Sequence, residues 1–302
     1  MDDVVKSLMT GAIDLHLHAT YAGKPRRQNM LEVARDAARA GMRAIVCKSK
    51  DACTVEAANL VRTLVEGVEV FGGVVLDSSV GGLNPHAVKA SLSMGGRIVW
   101  MPSLDSAWTF KKVAEDLRGG TKIYQHLIDT KGKGAGISIL KGGLAGSDLL
   151  PEVREIIGLI AEKGVILDTS HLSPRESLIL VKEARKAGVE KILITHVNSD
   201  LIDATMEEQK ELAREGAYLM HTIAQCLPSP LRDAQPLQTV VAMINEVGPA
   251  HCVLSTDLGG FNYPPAVEGL RMFITAMLMG GIKEKDVEQM VKINPAFLLN
   301  LK

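Results

Sequence analysis

Eight short apolar runs, each followed by a helical pattern, constrain this chain more than any other feature. They lie in residues 12–20, 43–48, 70–76, 97–101, 165–170, 191–195, 217–221 and 252–256. Between and after them, apolar residues recur at helical spacing over 30–40, 54–66, a segment opening at Asn84-Pro85, 151–163, 174–187, 205–215, 237–247, 267–279 and 283–292. Strand-then-helix repetition calls for parallel strands joined by right-handed crossovers. Eight such units predict an α/β protein of the (β/α)₈ TIM-barrel class rather than an open doubly wound sheet. No Gly-x-Gly-x-x-Gly follows the first run, which argues against a dinucleotide site. The rhythm breaks once, after the fourth strand, where residues 104–149 form a long Gly-rich insertion expected to act as a lid or to carry structure of its own. Nothing in the chain is composed like a linker, so residues 1–302 are expected to form one domain.

The charge balance narrows the partners. Thirty-four basic residues stand against 35 acidic ones, a net of −1, and no basic stretch calls for nucleic acid or an anionic membrane. No apolar run reaches the length of a membrane span. Cys47, Cys53, Cys226 and Cys252 are scattered without a CxxC pair, which predicts buried reduced thiols. The amino terminus lacks the pattern of a signal peptide, so a cytoplasmic location is expected.

The first strand carries the chemistry. In Ala-Ile-Asp-Leu-His-Leu-His-Ala-Thr, alternation places Asp14, His16 and His18 on one face and Ile13, Leu15 and Leu17 on the other. The apolar set is then expected to pack outward against helices, with both imidazoles aimed inward. Two histidines at i and i+2 near a strand end suit a divalent cation that prefers nitrogen ligands. They also suit the wet face of a half-exposed strand, so the reading depends on ligands from other strand ends. Those ends supply Lys48, His171, His196, His221 and Asp257. Five of the eight histidines thus sit on one predicted rim, where active sites of such barrels lie. His86 and His251 fall elsewhere, and His126 lies in the insertion.

At this point the chain resembles the amidohydrolase superfamily of metal-dependent hydrolases. The resemblance rests on Asp14-Leu-His16-Leu-His18, Asp168-Thr-Ser-His171, Thr195-His196, Ser255-Thr256-Asp257 and a closing Asn294-Pro295-Ala-Phe-Leu298-Leu299-Asn-Leu301. It implies a divalent metal, zinc above all, held as one or two ions. His16, His18 and Asp257 would bind at one position; His171 and His196 would bind at a second or face the substrate. One departure stands out. Binuclear members usually bridge their metals with a carbamylated Lys or a Glu on strand four, whereas this strand reads Val99-Trp100-Met101-Pro102, with Asp105 the nearest carboxylate. Lys48 ends strand two instead, either modified to a bridge or free to bind an anionic substrate group. A free ammonium would repel a second cation by about 4 kcal/mol at ~4 Å and an effective dielectric of 20, which favours one metal.

The resemblance implies a hydrolase acting on an amide, lactone or ester bond of a small molecule. Asp257 is the expected base, with His196 or His221 stabilising the oxyanion, and Lys48 and His221 contacting substrate. Two alternatives remain: a decarboxylase or isomerase on the same barrel, which Lys48 and Lys50 would suit, and a non-catalytic binding protein with a decayed site. A homo-oligomer is compatible with either. His16→Ala and His18→Ala are each expected to lose metal and activity while remaining folded, His221→Ala to alter affinity or turnover, and Lys48→Ala to keep its metal. Metal content, circular dichroism and intact mass check these outcomes; two metals per chain with a carbamate's added mass on Lys48 would establish the binuclear form.

Overall fold

The computed structural model describes residues 1–20, 25–115, 136–229 and 234–302. The strands are β1 (Ile13–Leu17), β2 (Ala44–Cys47), β3 (Glu69–Phe71), β4 (Gly73–Val75), β5 (Ile98–Trp100), β6 (Ile166–Asp168), β7 (Ile192–Ile194), β8 (Tyr218–Thr222) and β9 (Cys252–Ser255). All pair in parallel, in the orders β1-β2-β3 and β4 through β9. β3 and β4 are one stretch of chain interrupted at Gly72, so the two sheets share it and eight strand positions result. The ring closes where β9 meets β1. Leu17 bridges Leu258 in parallel, Asp257 N–H donates to the His16 carbonyl (2.8 Å), and His18 N–H donates to the Leu258 carbonyl (2.7 Å). This is a (β/α)₈ barrel, the class expected from the repeat.

Around it run α1 (Asp2–Met9), α2 (Met30–Arg39), α3 (Val55–Leu64), α4 (Pro85–Ser93), α5 (Ala107–Glu115), α6 (Pro151–Lys163), α7 (Pro174–Lys186), α8 (Met206–Arg214), α9 (Leu237–Val247) and α10 (Ala266–Met279). The last helical segment is broken into α11 (Glu284–Glu288), a π turn over Gln289–Ile293, and α12 (Asn294–Leu298). Helix α1 was not expected; it buries Val5, Leu8 and Met9 in the core it shares with α10. The expected insertion begins with α5, while residues 116–135, including His126, lie outside the described residues, so its expected lid role does too. Among the described residues no helix is long and apolar enough to cross a membrane. Cys47 and Cys252 are buried thiols as expected, whereas Cys53 and Cys226, also outside any disulfide among the described residues, are only half-buried.

Alternate residues from the strands fill the barrel: Ile13, Leu15, Ala44, Val46, Val75, Ile98, Trp100, Ile166, Leu193, Met220 and Val253 form one cluster. This corrects the expectation for strand one. Ile13 and Leu15 point into the barrel, and only Leu17 joins the outer core beneath the helices. The cause is a bulge: Asp14 pairs with Ile45 but Leu17 with Cys47, three steps on β1 against two on β2. The extra residue reverses the phase of alternation, so Asp14 faces outward while His16 and His18 turn inward. Leu15 N–H, displaced from the ladder, donates to Ser255 Oγ (3.0 Å).

Two further features fix the ends. Thr54 occupies the N-cap of α3 as expected but makes no side-chain cap bond; it donates its hydroxyl to the Cys47 carbonyl (2.7 Å) and accepts Gly73 N–H (3.0 Å). It thereby ties β2 to β4 across the junction of the two sheets. At the opposite end of the barrel, Asn294 donates to the Cys252 (2.7 Å) and Pro249 (2.9 Å) carbonyls, and Leu298 and Leu299 plug the interior. A Cβ on Gly73 would lie 2.0 Å from the Ile98 carbonyl oxygen on the neighbouring strand. Gly73→Ala is therefore expected to lower stability by about 1–3 kcal/mol or more in urea unfolding. Gly158→Ala, in open space on exposed α6, is expected to raise it by about 0.5–1 kcal/mol.

Candidate metal centre

Three of the expected ligands converge at the seam that closes the barrel. Atoms of His16, His18 and Asp257 all lie within 4.8 Å of one another. Asp257 Oδ1 is 3.4 Å from His16 Nε2 and 3.2 Å from His18 Nε2. Asp257 follows β9 with φ +53°, a left-handed conformation that costs a non-glycine residue energy and is characteristic of functional sites. The next turn is held just as tightly: a Cβ on Gly259 (φ +149°) would fall 1.8 Å from the His18 carbonyl oxygen. Only glycine fits there.

The hydrogen bonds determine what these groups offer. His18 Nδ1 lies 3.1 Å from the Lys48 carbonyl, which can only accept, so Nδ1 carries the proton. Burial holds the His18 ring at a pKa of about 4 and His16 well below its ordinary value, so both are neutral at pH 7. His18 therefore presents a bare Nε2 lone pair to a carboxylate oxygen. Among the described residues neither ring nitrogen of His16 has a hydrogen-bond partner, although the residue is 1% exposed. Acceptors thus face acceptors in a buried space, an arrangement that a cation relieves. Gln225 Nε2 donates to the second oxygen of Asp257 (3.3 Å).

His171 and His196 form a neighbouring pair. Their Nε2 atoms are 3.1 Å apart, and the His196 ring centroid is 6.0 Å from that of His16. Thr109 of α5 donates its hydroxyl to the Ser103 carbonyl (3.1 Å) and so accepts from His171 Nδ1 (3.2 Å), leaving His171 Nε2 as the lone pair. The reciprocal Ser173–Glu176 capping box at the start of α7 anchors the loop bearing His171. His196 reaches the group through a positive φ of 25°, which breaks the alternation following β7.

Lys48 is 1% exposed, its Nζ 3.2 Å from Ser170 Oγ and 5.5 Å from the centre of the Trp100 ring. Burial lowers its pKa, with Asp168, Asp257 and Asp77 opposing that effect. Trp100 occupies the inward position at the end of β5 and contacts the His16 ring edge-on (6.3 Å). Asp105, the nearest carboxylate after that strand, instead accepts Ser78 N–H (2.8 Å).

His221 does not join the group, and its expected catalytic and substrate-binding roles do not fit its position. Met220 fills the barrel, so His221 faces the outer layer, in register with outward-facing Leu254. Neither ring nitrogen has a partner among the described residues, and burial lowers its pKa to about 3. The inward side chain at this strand end is Thr222, whose hydroxyl is buried without a partner among the described residues. Asp77, a carboxylate two residues after β4, accepts Ser103 N–H (2.7 Å) and is a further polar group at this rim, marked in the sequence only by its place at a strand end. Gln225 carries no ligand signature and could not have been found that way.

Asp14 supports the seam from outside. It accepts His16 N–H (3.1 Å), Thr256 N–H (3.2 Å) and the Thr256 hydroxyl (2.5 Å), and burial pushes its pKa up to about 6 against those bonds. Thr256→Val leaves an Asp14 oxygen without that donor and is expected to cost about 1–3 kcal/mol in urea unfolding, with Thr256→Ser retaining most of it.

A family model described as "Family of unknown function (DUF6282)" matches residues 11–220. No curated protein matches the chain. Among solved structures, an amidohydrolase from Pseudomonas aeruginosa is similar with a TM-score of 0.64 at 15% identity, covering 98% of both chains. A lactonase from Listeria monocytogenes gives 0.55 at 15% identity, covering 97% of this chain and 96% of its own. A 2,6-dihydroxybenzoate decarboxylase from Rhizobium gives 0.51 at 11% identity, covering 97% and 99%. The chain therefore has the fold of amidohydrolase-type structures.

Proposed function

The chain belongs to DUF6282, a family of unknown function, and we propose that it is a one-domain, metal-dependent enzyme of the amidohydrolase type that hydrolyses an amide, lactone or ester bond of a small molecule. The observation that carries this reading is the convergence of two neutral imidazoles and a carboxylate at the carboxyl-terminal rim, with the bare Nε2 of His18 facing the carboxylate. The names of the similar amidohydrolase and lactonase structures agree with it. His16, His18 and Asp257 would hold the ion, and His171 with His196 stand next to it. Zinc is the proposed metal, since two imidazoles and one carboxylate suit it. Such an ion supplies Lewis acidity and an activated water near neutral pH.

The protein's own residues account for the proton and the charge. One oxygen of Asp257 faces the imidazoles; the other, oriented by Gln225, takes a proton from the attacking water and returns it to the leaving group. Water oxygen bonds to the carbonyl carbon as the leaving group departs. The Lys48 ammonium stabilises the developing oxyanion, while His196 gives its Nε2–H to the bare Nε2 of His171 and lines the centre. Lys48 contacts substrate. The free cysteines suit a reducing compartment such as the cytoplasm.

A second reading, decarboxylation of a carboxylated substrate, is favoured by the buried Lys48 beside the centre and by the name of the Rhizobium structure. Metal analysis followed by a panel of lactones, esters and amides, run beside carbon dioxide release from aromatic and aliphatic carboxylates, separates the two. Asp257→Asn is expected to lower kcat about 10²–10⁴-fold on whichever substrate turns over. A metal-replete protein inert on the whole panel would contradict both readings and favour a binding protein.

A further inference from the structure

Three cations stand around the centre without a contact ion pair among the described residues, although Asp257, Asp168, Asp77 and Asp51 act on them at longer range. Lys48 has three N–H donors and, among the described residues, one hydrogen-bond partner, Ser170 Oγ, although it is 1% exposed. Its backbone is fixed to the centre, because its carbonyl accepts from His18 Nδ1 (3.1 Å). Lys50 lies two residues on, at the same strand end, its own carbonyl accepting from Ser79 Oγ (2.6 Å). Arg26 is tied to the loop that follows Asp257. It bridges Gly260, and Arg27 N–H donates to the Gly259 carbonyl (2.9 Å). Arg26 Nε is buried and has no hydrogen-bond partner among the described residues. Among the described residues, none of the three makes an ion pair.

Electrostatics connects them to one another and to the centre. Burial lowers Lys50 to about 8, with Lys48 and Arg26 adding to the effect and Asp257 and Asp77 opposing it. Burial lowers His18, and Lys50 and Arg26 add to the effect from their side. Concentrating like charges where water is scarce is unfavourable, and buried N–H donors left without acceptors add to the cost. An oxyanion offsets both terms, and a guanidinium with two ammonium groups offers it donors from several directions.

Resting on the metal-centre reading above, we infer that Lys48, Lys50 and Arg26 form an anion clamp beside the His16–His18–Asp257 group, and that the substrate carries a carboxylate or phosphate group next to its reacting bond. Asp257 belongs to the centre, and the clamp supplies the charge that separates an anionic substrate from its neutral analogue. Lys48 is the inner contact; Lys50 and Arg26 are the outer ones, each reached from a different loop.

Calorimetric titration tests this. Glutarate, inorganic phosphate and the neutral glutaramide are titrated at constant ionic strength into the metal-loaded and metal-free parent protein and into Lys50→Met and Arg26→Met. These two partly exposed positions are chosen because Lys48→Met removes a buried side chain and risks the fold. The expected result is binding of at least one of the two anions, none of glutaramide, and a roughly 10–100-fold rise in Kd in each variant with metal content unchanged. The tighter anion identifies the group. Failure of both anions to bind the parent, unchanged affinity in both variants, or equal binding of glutaramide would overturn the clamp. A parent protein that takes up no metal would instead overturn the metal-centre reading, and the metal-free titrations would then decide the clamp alone.

Discussion

A parallel barrel must join its last strand to its first, and in this protein the same few peptide groups make that join and position the chemistry. The two backbone bonds across the seam run from Asp257 to His16 and from His18 to Leu258. Each of the three converging side chains therefore belongs to a residue that closes the ring. The ligand geometry is as rigid as the closure itself, because loosening one requires breaking the other. Asp14 reinforces the seam by accepting from a peptide N–H on each side of it and from the Thr256 hydroxyl. A short carboxylate buried outside the barrel wall thus governs the aim of groups inside it.

A second carboxylate, in register with inward-facing Trp100 and Leu193, orients side chains from inside the barrel mouth. Asp168, at the end of β6, accepts Ser170 N–H (2.7 Å) and the Thr195 hydroxyl from the neighbouring strand, and burial pushes its pKa up to about 6. Ser170 is held at φ +49° and receives the Lys48 ammonium. One Asp-x-x pattern therefore aims a histidine and the other aims a hydroxyl that positions a lysine. The pair explains why Asp14 and Asp168 recur in the motifs without touching the converging ligand atoms.

Much of this was legible in the sequence because strand and helix periods differ, and all eight apolar runs correspond to strand segments of the barrel. The strand-end residues Lys48, His171, His196 and Asp257 were legible for the same reason. What failed was the assumption that alternation continues undisturbed. The bulge in β1 inverted the faces of Ile13 and Leu15, and a left-handed residue redirected His196, neither of which leaves a compositional trace. His221 shows the converse: β8 keeps its alternation, so the histidine stays outside and Thr222 turns in. Thr54 had the composition of a cap, yet tertiary bonds to Cys47 and Gly73 claimed its hydroxyl.

Irregular backbone and unpaired polar groups are distributed unevenly between the two ends of the barrel. At the amino-terminal end, Asn294 satisfies carbonyls around β9, Lys191 donates to the Gly164 carbonyl (3.0 Å), and leucines fill the interior. At the carboxyl-terminal end lie the left-handed residues Ser170, His196 and Asp257, the β1 bulge, and buried donors or acceptors on His16, Thr222 and Arg26 that lack partners. Strain and unsatisfied polarity persist only where surrounding structure holds them in place, and here the apolar layers beneath do so. Trp100 marks the boundary: its ring belongs to the packed core, while Lys48 and His16 lie against it from above. The stability that the lower layers supply is thus what allows the rim to keep strained residues and buried polar groups without partners among the described residues.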